Sequence, residues 1–254
     1  MYMRKMSTIL IVSVSLLSMV MFAQEPWRET RLFNAVVAGE IDVVKAALVA
    51  GKDPNTRGPG FVSLLAQATA FKQIDIIKLL LANGANPKAK GNEGLVGLAV
   101  ETGRMDILAC LVEAGAPVVK PKESCIQSDV LVSATRKGRV DFVRYLLQHG
   151  ADPRGTWALG DTTALQAAAA MGNVDIIALL LEVGADINHR DWNGLSALMH
   201  ACKEGKLAAV EFLLAHGADT SFQDGYGETA GTFAAQLKGE NTKKLQALCA
   251  GKSN

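Results

Sequence analysis

Two kinds of apolar run alternate along most of the chain, and their spacing predicts pairs of short helices. The clearest longer run covers 174–181 and reads VDIIALLL, which gives a helix a wide apolar face. A run of smaller residues, TALQAAA over 163–169, precedes it, and its alanines would make a helix thin enough to stack closely on its neighbours. Thr163 suits the N-cap of that first helix. Gly172 suits its end, because glycine tolerates the left-handed conformation of many helix stops.

Glycine-containing turn phrases follow the longer runs at a nearly constant spacing. They begin at Gly51, Gly84, Gly115, Gly150, Gly184 and Gly217, so that the spacings are 33, 31, 35, 34 and 33 residues. One helix pair of this kind cannot bury its own apolar faces, whereas stacked pairs can. A period near 33 therefore predicts a stack of repeats.

These repeats resemble the ankyrin repeat family over roughly residues 30–254. The best match, 163–188, reads TALQAAAAMGNVDIIALLLEVGADIN and follows the family's Thr-Pro-Leu-His, Ala-Ala, Gly and Gly-Ala-Asp elements in order, although no unit keeps Thr-Pro-Leu-His intact. The resemblance implies an all-α fold, a solenoid of about seven helix-turn-helix repeats with projecting β-hairpin turns. Repeat starts are predicted near Thr30, Ser63, Gly94, Asp129, Thr163, Ser196 and Thr229. Repeats three and four depart most, and the 35-residue spacing implies a modified connection through 118–122.

The first 23 residues have the layout of a secretory signal peptide. Arg4 and Lys5 are followed by an uncharged stretch over 6–22, and polarity returns at 24–26. As a helix that stretch would be about 26 Å long, short of the ~30 Å hydrocarbon layer. Cleavage after Ala23 is therefore favoured over an uncleaved N-terminal anchor, which leaves 24–254 as the exported repeat domain.

The charge balance and the cysteine spacing argue against two classes of function, nucleic-acid binding and zinc binding. The 254 residues include 26 Lys and Arg against 25 Asp and Glu, whereas a dedicated nucleic-acid binder carries a basic excess. No cysteine spacing suggests a zinc site. Two readings stay open for the cysteines, buried small hydrophobes or one or two disulfides, and Cys202 and Cys249 are the pair expected to be neighbours. The four cysteines are Cys110, Cys125, Cys202 and Cys249.

No catalytic or cofactor motif occurs in the sequence. His149 and His216 both precede the glycine that ends a second helix, where a polar or cationic tip is favourable. Five aspartates open second helices, where a carboxylate suits the positive end of the helix dipole, and we interpret them as structural. They are Asp42, Asp75, Asp106, Asp141 and Asp175. No enzymatic activity, cofactor or metal site is expected.

The family resemblance implies that turn tips and the exposed ends of first helices form one concave face that binds another protein. Trp, Tyr and Arg at such places are the residue types that most often carry binding energy. The alternative is that turn aromatics pack on their own repeat and turn lysines are only solvated. The candidate binding residues are Arg57, Phe61, Phe71, Lys88, Lys90, Arg136, Lys137, Arg154, Trp157, Met171, Arg190, Trp192 and Tyr226.

The leader and the repeats together resemble periplasmic ankyrin proteins of bacteria. That resemblance suggests a monomeric, non-enzymatic module that binds a periplasmic or envelope enzyme, as an inhibitor or immunity protein against, for example, a peptidoglycan hydrolase. A secreted effector that binds host proteins and a general periplasmic scaffold are the alternatives. No nucleic-acid partner is expected, and membrane contact is expected only through an uncleaved leader.

Overall fold

The computed structural model describes residues 31–118, 130–157, 161–237 and 242–249. The predicted leader, the starts at Thr30 and Asp129, and most of the connection through 118–122 lie outside these residues. The chain divides into two compact units, 1–92 and 93–254.

Two helix pairs make up the described part of the first unit. The first pair is α1 (31–38) and α2 (Ile41–Val49), and the second is α3 (Leu64–Ala70) and α4 (Ile74–Ala82). Helix α2 packs on α4. A short 3-10 turn at Pro59–Phe61 lies in the connection between the pairs.

Five further helix pairs make up the described part of the second unit. In each pair a first helix of seven or eight residues precedes a second helix of eight or nine, and in the first four pairs a tight turn joins them. The pairs are α5 (Leu95–Thr102) with α6 (Met105–Glu113), α7 (Val130–Arg136) with α8 (Val140–Gln148), α9 (Ala164–Met171) with α10 (Val174–Glu182), α11 (Ala197–Lys203) with α12 (Leu207–Ala215), and α13 (Ala230–Gln236) with α14 (Thr242–Cys249). First helices pack on first helices, since α9 contacts both α7 and α11, and second helices contact second helices. This is the expected solenoid of helix-turn-helix repeats.

The helix starts follow from the cap residues that the sequence supplies. Thr163 is the N-cap of α9, where its hydroxyl accepts a hydrogen bond from Gln166 N, and the Gln166 side chain accepts one from Thr163 N at 2.8 Å. Ser63 and Ser196 cap α3 and α11 in the same way through one side-chain hydrogen bond each. Gly94 at the start of α5 has no side chain to donate or accept. Caps therefore vary where the sequence departs from the family pattern.

The turns between repeats contain little regular strand. In the part of the chain that the structure describes, the paired strands are β1 (Thr156–Trp157) and β2 (Thr162–Thr163), which run antiparallel. An isolated antiparallel bridge also joins Arg57 to Ser63. Several other turns are held by a side-chain hydrogen bond in which an Asp or Asn oxygen accepts from the backbone N–H two residues later.

Alanines and leucines make up much of the buried core between the stacked helices of each unit. In α9 the stretch from Ala164 to Ala169 is buried throughout, which lets neighbouring first helices approach closely. Cys202 in α11 and Cys249 in α14 are also buried, and their unbridged Sγ atoms are 2.6 Å apart. The expectation that these two cysteines are neighbours is confirmed. The hydrogen bond to Cys249, together with burial, raises the pKa of the Cys202 thiol.

Candidate protein-binding surfaces

In the first unit, the predicted binding residues lie on two turns and at one helix end. Arg57 and Phe61 belong to the turn before α3, and Phe61 is 81% exposed. Lys88 and Lys90 are exposed on the turn that follows α4. Phe71 follows the last residue of α3 and is 48% exposed. Neither phenylalanine is therefore buried in the core of its own repeat.

Side-chain hydrogen bonds fasten these two turns to each other. Asn55 Nδ2 donates to Gly84 O at 3.2 Å, and Asn86 N donates to Asn55 Oδ1 at 2.8 Å. The Ser63 hydroxyl donates to Asn92 Oδ1 at 2.6 Å in a buried position. Two exposed hydrogen bonds and one buried hydrogen bond therefore hold the backbones of these turns in place.

In the second unit, Trp192 and Tyr226 occupy successive turns with their rings in solvent. Their exposed fractions are 72% and 90%. Both turns are built on an aspartate. Asp191 Oδ1 accepts from Asn193 N and Leu195 N, and Asp224 Oδ1 accepts from Tyr226 N. An open depression of 360 Å³ lies between the two turns beside Trp192.

Arg190 has a structural role in the same place. Its Nη2 donates to Gln223 O at 2.6 Å and its Nε donates to Gly194 O at 3.1 Å. The guanidinium also lies over the Phe222 ring, 5.4 Å from its centroid. Arg190 thus joins the turn of Trp192 to the next turn, and a direct part in partner binding stays a prediction.

The remaining candidates lie on a strand, a turn and the ends of first helices. Trp157 is the last residue of β1, and exposed Arg154 lies on the turn before it. Met171 ends α9 and is half exposed. Lys137 follows α7 and pairs with Glu101 at 2.8 Å, while Arg136 is the exposed last residue of that helix.

The two histidines that precede a helix-ending glycine have the predicted structural role. His149 stacks on Tyr145 with ring centroids 4.0 Å apart, and His216 stacks on Phe212 at 4.1 Å. In both, Nδ1 lies 2.8 Å from the carbonyl oxygen of the same aromatic residue. Each of these carbonyls also accepts a hydrogen bond from the backbone N–H of the same histidine, so the ring adds a second contact in the last turn of α8 and of α12.

The structure also forms two histidine–aspartate contacts that sequence spacing did not reveal. His200 Nε2 lies 3.0 Å from Asp191 Oδ2, and the Asp191 side chain is only 4% exposed. His189 Nε2 lies 3.1 Å from Asp161 O and 3.6 Å from Asp161 Oδ2. Each pairs a turn with a neighbouring element. Within the described ranges, no three His, Cys, Asp or Glu side chains converge as metal ligands would.

The aspartates at second-helix starts lie in the first turns of α2, α4, α6, α8 and α10, as predicted. Arg139 donates to Asp141 from Nε and Nη2, each at 3.3 Å, and holds the pKa of that carboxyl below its ordinary value. Arg104 does the same for Asp106. Both carboxylates are thereby kept ionised at the positive end of a helix, which is a structural arrangement.

None of the helices in the described ranges has both the length and the apolar character that a membrane crossing requires. The stacked helix pairs and the turns between them define a helix-turn-helix repeat protein. The family model for ankyrin repeats in groups of three copies matches the overlapping stretches 64–156, 96–191, 156–224 and 184–253. The chain therefore belongs to the ankyrin repeat family, whose repeats are protein–protein interaction modules.

Comparisons with individual proteins agree with this family. The chain is 43% identical over 107 residues to XBOS33, a probable E3 ubiquitin-protein ligase of Oryza sativa subsp. japonica. The aligned stretch covers 41% of this chain and 21% of that protein. It is 28% identical over 211 residues to the E3 ubiquitin-protein ligase KEG of Arabidopsis thaliana. Here the aligned stretch covers 78% of this chain and 13% of that protein. The chain thus matches only about a fifth or less of the length of these curated relatives.

Among solved structures, the human ASB11 ankyrin repeat domain superposes with a TM-score of 0.73 at 22% identity. The superposition covers 88% of this chain and 99% of that one. At this identity the likeness establishes the fold alone.

Proposed function

We propose that this chain is a non-enzymatic protein-binding module of the periplasm that inhibits, or confers immunity against, an envelope enzyme such as a peptidoglycan hydrolase. The observation that carries the binding role is the set of exposed aromatic rings on turns whose backbones are held by side-chain hydrogen bonds, chiefly Phe61, Trp192 and Tyr226. A turn whose backbone is already held in place loses little conformational entropy on binding, and aromatic side chains have few rotatable bonds to immobilise. The leader-like 1–23 segment supports the periplasmic location.

Inhibition would be steric in this proposal. A stack of helix pairs that binds beside an active site prevents a polymeric substrate from entering it, and no chemistry by the chain is needed. The exposed cations at the turns suit the acidic rim of such a cleft.

Capture of envelope proteins by the full chain, followed by an activity assay on each captured enzyme, tests the proposal. The variant Trp192→Ala/Tyr226→Ala should lose capture and inhibition while its thermal midpoint stays within a few degrees of the parent's. Val49 and Val183 are exposed apolar residues at the ends of second helices, so Val49→Ala/Val183→Ala is the matched control and should retain both. Capture without any change in enzyme activity would replace inhibition by scaffolding.

A secreted effector that binds host proteins is the second candidate. The observation that favours it is that the two relatives described above are plant proteins. Release by osmotic shock of the producing cells supports the periplasmic protein, whereas recovery from the medium or from host cytosol supports the effector.

A further inference from the structure

The near-neutral charge of the whole chain conceals opposite charges on its two units. The described residues of the first unit, 31–92, include eight Lys and Arg against four Asp and Glu, a net charge of +4. The described residues of the second unit include eleven Lys and Arg against sixteen Asp and Glu, a net charge of −5. A partner that is selected by charge would therefore distinguish the two units.

The positive charge of the first unit is exposed where its aromatic side chains are exposed. We call six residues the basic surface: Arg57, Phe61, Phe71, Lys72, Lys88 and Lys90, all exposed to solvent. Three of the unit's four acidic residues lie elsewhere, at the starts of α2 and α4. Among the described residues of this unit, no Lys or Arg forms an ion pair, whereas several in the second unit do.

The turns that carry four of these residues are fastened side by side. Besides the hydrogen bonds of Asn55, the Arg57 guanidinium lies against Gly91, where an added Cβ would be 3.0 Å from it. Helix α3 has seven residues and is therefore about 10 Å long, so Phe71 and Lys72 lie about that distance from its start at Ser63. An extended chain of a few residues spans this distance.

Two members of the basic surface also have strained backbones. Lys72 has a φ of 60°, at a position where five other helix pairs have glycine with φ between 66° and 77°. Those glycines are Gly39, Gly103, Gly138, Gly172 and Gly205. Phe61 likewise has a φ of 60° although most of its side chain is in solvent. The left-handed conformation raises the free energy of a lysine or a phenylalanine. Core packing does not offset that cost here, because both side chains are exposed. Strain of this kind concentrates at functional sites.

We propose that the basic surface binds an extended acidic segment of a partner protein, with its cations facing carboxylates and Phe61 and Phe71 contacting apolar side chains of that segment. The inference rests on the proposed binding function and specifies the charge and the conformation of the partner segment. A nucleic acid fits less well, because it carries a phosphate at every nucleotide, whereas this surface offers four cations interspersed with two phenylalanines.

Selection of random 12-residue peptides displayed on phage against the full chain tests this inference. Enriched peptides should be acidic with at least one apolar residue, and their affinity, measured by fluorescence anisotropy, should fall with added salt. Lys72→Glu/Lys88→Glu/Lys90→Glu should weaken that binding by about tenfold or more, because like charges then face each other. Arg144→Glu/Lys203→Glu/Lys243→Glu places the same charge change on exposed residues of the second unit that are not binding candidates, and should leave the affinity unchanged.

The variant Lys72→Gly separates binding from stability. Glycine removes the strain and should raise the melting temperature by about 2–4 °C, while peptide affinity falls. Unchanged affinity in this variant would show that Lys72 does not belong to the basic surface and that its strained backbone has no role in binding.

Other outcomes would overturn the inference itself. These are enrichment of neutral or basic peptides, no enrichment at all, or equal binding by the parent and the triple first-unit variant. Tighter binding of a 12-nucleotide oligothymidine, or of vesicles with about a third anionic lipid, would assign the surface to another class of macromolecule. Peptides lost only in Trp192→Ala/Tyr226→Ala would refute the basic surface but leave the proposed binding function intact.

Discussion

Gly172 meets two constraints that a side chain cannot satisfy together. Its φ is 77°, and a Cβ at this position would lie 3.0 Å from Lys206 Cδ, which belongs to the next repeat. The residue at the corresponding place in other repeats also reaches back toward such a glycine, as Gln73 does toward Gly39 and Arg139 toward Gly103. Glycine at the helix stop therefore allows both the left-handed turn and the contact between repeats.

We expect Gly172→Ala to lower the free energy of unfolding by about 1–2 kcal/mol, because alanine is strained in this conformation. Urea denaturation followed by circular dichroism measures the change. Gly97 is the matched control, since it lies inside α5, has no positive φ, and its added Cβ would meet only Val130 at 3.7 Å. Gly97→Ala should be neutral or stabilise by up to about 1 kcal/mol. Equal losses in both variants would contradict the argument.

Sequence reasoning succeeded where one residue and its chain neighbours determine the outcome. Thr163 and Gly172 could be placed because capping and left-handed stops depend on local chemistry. The contact between His200 and Asp191 could not, because it depends on how a turn folds back over the helix that follows it. The bridging role of Arg190 was missed for the same reason. Its partners at Gly194 and Gln223 are brought near by the stacking of repeats.

At the scale of single elements, five of the seven described second helices have an aspartate in their first turn, and in α6 and α8 an arginine N-cap lies beside it. The Arg139 guanidinium holds the pKa of Asp141 below its ordinary value, mainly through their hydrogen bond. A carboxyl whose pKa is lower in the folded state stabilises the fold above the unfolded pKa. That contribution is lost as the pH falls through the folded pKa, which here means below about pH 4.

The variant Asp141→Asn removes this titration but leaves the contact of Arg139 with Gly103 O in place. We expect the parent to be more stable than the variant at pH 6, by less than about 1 kcal/mol because both side chains are largely exposed. The difference should vanish as the pH approaches 2. Urea midpoints at several pH values measure it, and Asp106→Asn should behave alike. A difference that grows on acidification would contradict the sign.

The turns show how far an element can be predicted from its family. The resemblance implies projecting β-hairpins, yet among the described turns paired strands form only at 156–157 with 162–163. Elsewhere an Asp or Asn side chain, such as Asp224, replaces the strand ladder by accepting backbone N–H groups. The position of each turn followed from the 33-residue period, whereas its internal hydrogen bonding depended on which residue stands at its start.

At the scale of the whole molecule, period and composition answered different questions. The period predicted the fold because every repeat buries the same faces, so errors in one repeat do not disturb the others. The net charge of the full sequence concealed opposite charges on the two units, which became visible only when the residues were assigned to them. The kind of partner that each unit attracts therefore depends on how charged residues are distributed among the repeats. The net charge of the whole sequence does not reveal that distribution.

The pair Cys202 and Cys249 connects the location of the molecule to its stability. Both thiols are buried and in contact, one in α11 and the other in α14 at the far end of the second unit. In an oxidising compartment they are placed to form a disulfide that closes a loop of 47 residues. Closing a loop of this length restricts the unfolded chain and should add about 4 kcal/mol to the free energy of unfolding.

Refolding the full chain with oxidised glutathione tests this expectation. The two thiols lose two protons and two electrons, and one glutathione disulfide is reduced to two thiols. Titration after unfolding should then find two fewer thiols than in the reduced chain, and the melting temperature should rise only in the oxidised form. Cys249→Ser should abolish that rise, whereas Cys125→Ser should retain it. An unchanged thiol count after oxidative refolding would mean that the pair acts only as buried small side chains, and export would then bring no gain in stability from it.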